Sequence, residues 1–149
     1  MTRILIVESS PFFADVLACT LGLEKYDVTV AGTAAEGVRL GAAGRPDVVV
    51  AAWTLRGDVH GGEVCRRIRA ASPGTKAVII TGCDELLSQA RKYCRCAVAV
   101  LAKPFHREDI LGAVRKALRI DVAVPPPRPL VADLPSVAAN TFFDPQVTL

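Results

Sequence analysis

The chain has 149 residues, 51% hydrophobic and 22% charged, with a formal net charge of +3. That size and balance fit one folded domain with a short appendage. The small net charge gives no electrostatic case for a nucleic-acid partner, and no apolar stretch nears the roughly 20 residues that cross a bilayer. The five cysteines are odd in number and no secretory leader precedes the first apolar run, so a soluble, cytoplasmic protein with reduced thiols is expected.

The first strand is expected at RILIV (3–7). Ser10 and Pro11 then read as the N-cap and first residue of a helix, with Phe13, Leu17 and Leu21 on its inner face. A second strand follows at DVTVA (27–31). Thr33 to Glu36 fits a capping box, and Ala34, Val38 and Ala42 form the apolar stripe of the second helix. The third strand is DVVVAA (47–52), with a helix marked by Val64 and Ile68. The fourth is AVIIT (77–81), with a helix marked by Leu86, Leu87, Ala90 and Cys94. The fifth is AVAVLA (97–102), with a helix marked by Ile110, Val114 and Leu118.

These strands are continuous rather than alternating, which implies helices on both faces of a parallel sheet. Five strands alternating with five helices, joined by right-handed crossovers, give a doubly wound three-layer α/β fold. The strand order is expected to be 2-1-3-4-5, the flavodoxin-like arrangement. Its functional crevice lies at the carboxyl ends of the strands.

Composition changes after Arg119. Residues 120–149 hold six of the ten prolines, and one arginine against three aspartates gives this segment −2 and leaves +5 for residues 1–119. The first 119 residues therefore read as the domain and the rest as a Pro-rich extension. Leu130, Val131, Leu134, Phe142 and Phe143 are more apolar than a plain linker needs. The extension is expected to dock on its own domain or on a neighbouring chain. Its PPPRP run (125–129) reads as a rigid spacer, with a polyproline ligand as the alternative.

The strand ends contribute Glu8 and Ser9, Ala51 and Ala52, Thr81 and Gly82, and Lys103 and Pro104. An acid, a hydroxyl and a lysine on one crevice are the parts of a phosphoryl-handling site. Lysine would pair with phosphoryl oxygens, threonine would donate to one, and the acidic end would hold a divalent cation.

The segments RILIVESSPFFADVL, RPDVVVAAWTL, GGEVCRRIRAASPGTKAVIITG and VLAKPFHREDILGAVRKAL resemble a response-regulator receiver domain of two-component signalling, over residues 3 to 119. The resemblance implies a phosphoacceptor aspartate where this chain has Ala52, an acidic pair where it has Glu8-Ser9, and an aromatic switch residue where it has Val100. It also implies a proline where Arg56 stands and a shorter loop than RGDVHGG. Thr81 and Lys103 match, and the Lys103-Pro104 bond is expected to be cis. Alanine has no heteroatom to act as nucleophile. The chain therefore resembles a degenerate receiver, not an enzyme, that acts through protein contacts. No cofactor is expected, and Mg2+ binding should be weak or absent with Glu8 the one acidic donor left.

On this reading Lys103 serves as the ion-pair partner of Glu8 rather than an anion sensor, and Thr81 closes the loop after the fourth strand. A histidine kinase, another regulator or a second copy is the expected partner. The face formed by helix 4, strand 5 and helix 5 would present Arg91, Lys92, Arg95, Arg107 and Arg115 to it, and a homodimer is one form this could take. His60 and His106 read as exposed loop residues, and Arg66, Arg67 and Arg69 as a solvated helix face. No nucleic-acid reading element follows the domain, and no membrane contact is expected. Two alternatives stand: a phosphorelay receiver using Asp58, or a redox or metal sensor built on Cys94, Cys96 and Cys83.

Overall fold

A computed structural model describes residues 1–57, 59–82, 84–93 and 97–119. The elements alternate without exception. They are β1 (Arg3–Val7), α1 (Pro11–Gly22), β2 (Asp27–Ala31), α2 (Ala34–Gly44), β3 (Val48–Ala52), α3 (Gly61–Ala71), β4 (Lys76–Thr81), α4 (Asp84–Tyr93), β5 (Ala97–Ala102) and α5 (Arg107–Arg119). All strand pairs are parallel, in the order β2-β1-β3-β4-β5. This is the flavodoxin-like arrangement the apolar runs imply. The Pro-rich extension, residues 120–149, lies outside the described residues, as do Asp58, Cys83 and Cys94 to Cys96.

Two apolar layers sandwich the sheet. Leu5, Val7, Val49 and Ile79 face α2, α3 and α4, with Val64 and Ile68 from α3 packed on them. Ile4, Ile6, Val50, Val78 and Ile80 face α1 and α5, against Leu17, Leu21, Ile110 and Val114. The central strands are therefore buried on both sides, which is why their sequences run apolar without a break. Among the described residues no helix is long and apolar enough to cross a membrane.

The helix starts follow local chemistry. Ser10 Oγ accepts from the Phe13 N–H at 3.3 Å, and Thr33 Oγ1 accepts from the Glu36 N–H at 3.1 Å. The box at Thr33 is shifted by one residue, because Glu36 Oε1 accepts from Gly32 rather than from Thr33. Two expected stripes also change. In α2 the buried positions are Ala34, Gly37 and Gly41, with Val38 and Ala42 only half-buried. A Cβ on Gly41 would fall 2.6 Å from Ile68, so these glycines let α2 approach α3 and the sheet closely. In α5, Ala117 takes the inner position, and Leu118 is 36% exposed.

Candidate functional site

Glu8, one residue past β1, is anchored by its own N–H, which donates to Ala31 at the end of β2. Its carboxylate points inward and is 5% exposed. Oε2 accepts from the Ser10 N–H at 3.0 Å, and Oε1 accepts from Lys103 Nζ at 3.2 Å. Lys103 arrives from the far edge of the sheet, just after β5. Its backbone N–H donates to the Thr81 carbonyl at 2.8 Å, which ties it to the end of β4. The Lys103-Pro104 bond is cis. The ammonium also sits 3.9 Å from the Phe13 ring centroid, and Phe13 meets Phe105 edge-on. A carboxylate on one side and an aromatic face on the other hold the cation.

The remaining strand ends are occupied by the protein itself. Ser9 Oγ accepts from the Arg56 N–H at 3.0 Å, so the hydroxyl fastens the β3–α3 loop. Ala52 is 5% exposed and offers only a methyl group. Above it the chain closes tightly. The Trp53 N–H donates to Ile80, and the Gly61 N–H returns to Trp53 O at 2.9 Å. A Cβ on Gly61 would stand 2.1 Å from the Ala52 carbonyl oxygen, so only glycine permits this approach. Thr81 is buried beside it, and Val100 packs from β5 into the layer under α4.

His60 corrects the expectation of an exposed loop histidine. It caps α3, its Nδ1 accepting from the Glu63 N–H at 3.2 Å, and its ring stacks on Trp53 with centroids 4.2 Å apart. Tyr93, from the end of α4, meets both rings edge-on. The Tyr93 hydroxyl donates to Glu63 at 2.9 Å, and Arg66 and Arg67 donate to the same carboxylate at 2.6 and 2.8 Å. Hydrogen bonds from these three side chains, Arg66 first, hold the Glu63 carboxyl well below the usual carboxylate range. The same pairing pushes the Arg66 guanidinium up. The cluster escaped sequence reasoning. Its one local signal is the spacing in His60-Gly-Gly-Glu63, which matches that of an N-cap and an acidic third helical residue. A shallow cleft of ≈ 190 Å³ opens beside it, lined by Trp53, Leu55, Val59 and Leu86 among others.

On the basic surface Arg66 and Arg67 are exposed, as expected, and also hold ion pairs. Arg66 and Arg67 are committed to Glu63, and Arg69 donates to the Thr75 carbonyl at 3.0 Å. Arg107 and Arg115 both pair with Glu24, beyond the end of α1. They therefore serve the α1 side of α5 rather than a common face with α4. Of the five cations expected there, Arg91 and Lys92 are exposed on α4 and Arg95 lies outside the described residues. His106 is exposed, as expected. Among the described residues no group of three His, Cys, Asp or Glu is placed to hold a metal ion.

The family model for the response regulator receiver domain matches residues 4–115. The chain belongs to that family. This receiver is 34% identical over 117 residues to the uncharacterized transcriptional regulatory protein YkoG of Bacillus subtilis, a match covering 78% of this chain and 51% of that protein. It is 31% identical over 117 residues to the DNA-binding response regulator MtrA of Mycolicibacterium smegmatis, with 78% and 50% covered. The chain spans about half the length of the curated relatives it matches. Among solved structures, a CheY-like receiver domain from Methanospirillum hungatei superposes with a TM-score of 0.70 at 27% identity, covering 79% of this chain and 94% of that one. The response regulator TrrA of Thermotoga maritima, in complex with Mg2+-BeF, gives 0.71 at 25% identity, covering 79% and 100%.

Proposed function

We propose that this receiver signals through protein contacts, without phosphorylation at the end of β3 and without a bound metal. The observation that carries this reading is the donor set at the strand ends. Ala52 supplies no nucleophile. Mg2+ takes oxygen ligands in near-octahedral geometry, usually with one or two carboxylates. Here Glu8 Oε1 and Oε2 already accept from Lys103 and Ser10, and Ser9 Oγ accepts from Arg56. The residues present do not fit a resident Mg2+. Glu8 and Lys103 instead neutralise each other and cross-link β1 to β5.

The domain is then a fixed scaffold that binds partners by its surface and catalyses nothing. A histidine kinase, another regulator or a second copy is the class of partner, and α4 offers Arg91 and Lys92 for an acidic one. The test is incubation of the full chain with acetyl phosphate and Mg2+, read by intact mass. No adduct is the expected result. A stoichiometric phosphoryl adduct overturns the reading, and its location on Asp58 would establish the phosphorelay alternative.

A further inference from the structure

We propose that residues 130–134 of this chain, Leu-Val-Ala-Asp-Leu, dock in cis along the outer face of α1. That face is apolar where it should be polar. Phe12 is 77% exposed, Val16 43% and Leu23 69%, and Cys19 is exposed between them. These four positions recur at i, i+4, i+7 and i+11, so they form one stripe along the helix. They lie opposite the buried Ala14, Leu17 and Leu21. Scattered exposed apolar residues are ordinary, whereas a contiguous row marks a contact surface.

The course of α5 identifies the occupant. It covers the same side of the sheet as α1, and Arg115 Nη2 lies 2.8 Å from Glu24 Oε1. Glu24 adjoins Leu23, the lower end of the stripe. In this parallel sheet α1 and α5 both return from the carboxyl edge of the strands to the amino edge, so Arg119, the last residue of α5, and Leu23 lie at the same edge. Leu130 follows Arg119 by 11 residues, which at the ~3.1 Å per residue of a Pro-rich segment span roughly 34 Å. The 12-residue α1 is about 18 Å long. The tether therefore reaches every point of the stripe. Ile120, Val122 and Val124 follow too closely on Arg119 to lie along the whole stripe; Leu130, Val131 and Leu134, bounded by Pro129 and Pro135, are the next large aliphatic side chains and have that reach. A tethered segment at an effective concentration on the order of millimolar outcompetes a second copy at ordinary protein concentration.

Cys19 lies within the stripe and reports on its cover. The full chain is treated with N-ethylmaleimide, and the rate at Cys19 is followed by peptide mapping. The expected result is slow labelling that does not depend on protein concentration. The Leu130→Asp/Leu134→Asp variant, altered only beyond residue 119, should label about fivefold faster, as expected if the segment is docked about 80% of the time. Equal rates in the two proteins overturn the proposal. Protection that grows with protein concentration also overturns it and assigns the stripe to a second copy.

Discussion

Glu8 and Lys103 meet at 3.2 Å across the carboxyl edge of the sheet, with their side chains 5% and 30% exposed. Glu8 comes from the second strand in spatial order and Lys103 follows the fifth. The pair spans the crevice where ligands of doubly wound folds bind. Beside that contact, Glu8 Oε2 accepts from the Ser10 N–H and the Lys103 ammonium lies over the Phe13 ring.

Breaking the pair from one side leaves a poorly solvated charge. Lys103→Met should therefore destabilise the domain by about 1–3 kcal/mol, the range for an unsatisfied buried polar group, reduced by the partial exposure of the lysine. Adding Glu8→Gln should cost less than the sum of the two single changes. Urea unfolding of the four proteins in a double-mutant cycle reads the coupling directly; additive effects would contradict a specific pair.

The proposed loss of metal binding is reversible in principle. Ala52→Asp with Ser9→Asp restores two carboxylates next to Glu8. Saturable Mg2+ binding is expected in the double variant by isothermal titration calorimetry, and none in the parent. If the variant also gives no heat, the closed β3–α3 loop excludes the ion independently of its ligands.

That loop depends on Gly61. Its position against the Ala52 carbonyl, where a Cβ would stand 2.1 Å away, leaves no room for a methyl group. Gly61→Ala should cost roughly 1–3 kcal/mol, as overpacking does. Chemical denaturation measures the loss. A Gly44→Ala control, where nothing lies within 4 Å, should change stability far less.

His60 has two structural duties that substitution can separate. His60→Ala removes the α3 cap, about 0.5–2 kcal/mol, and the Trp53 stack, about 0.5–1.5 kcal/mol. His60→Asn should recover the cap alone and sit between alanine and the parent in thermal stability. Equal loss in both variants would show that the N-cap contributes nothing.

Glu63 predicts an acid-sensitive element. Its carboxyl is held low by Arg66 first, then by Arg67 and Tyr93. A carboxyl depressed in the folded state stabilises above its unfolded value, about 4.3. That contribution fades as pH falls below about 5 toward the folded value. Glu63→Gln should therefore lose stability at neutral pH and show a flatter acid limb. Urea midpoints taken between neutral and acid pH test the slope; parallel curves for variant and parent would rule the effect out. Solvent at the exposed guanidinium groups limits its size.

The amino-acid sequence by itself determined the layer order, the strands to within a residue or so, and the caps at Ser10 and Thr33. These follow from apolar continuity and from side chains that bond within one helical turn, so neighbours along the chain suffice to specify them. The residue types at the strand ends were legible for the same reason, because a parallel sheet brings all its carboxyl ends to one edge. The pairing of Lys103 with Glu8 was already legible from those residue types, whereas tertiary structure alone decided that Ser9 is taken up by the Arg56 N–H. It brought Tyr93 to Glu63 and seated His60 on Trp53. It also turned Arg107 and Arg115 toward Glu24 and gave the inner face of α2 to Gly37 and Gly41. Those partners are 30 to 91 residues apart in the ion pairs and the tyrosine bond. Their meeting depends on the approach distance of packed helices, which no local periodicity encodes.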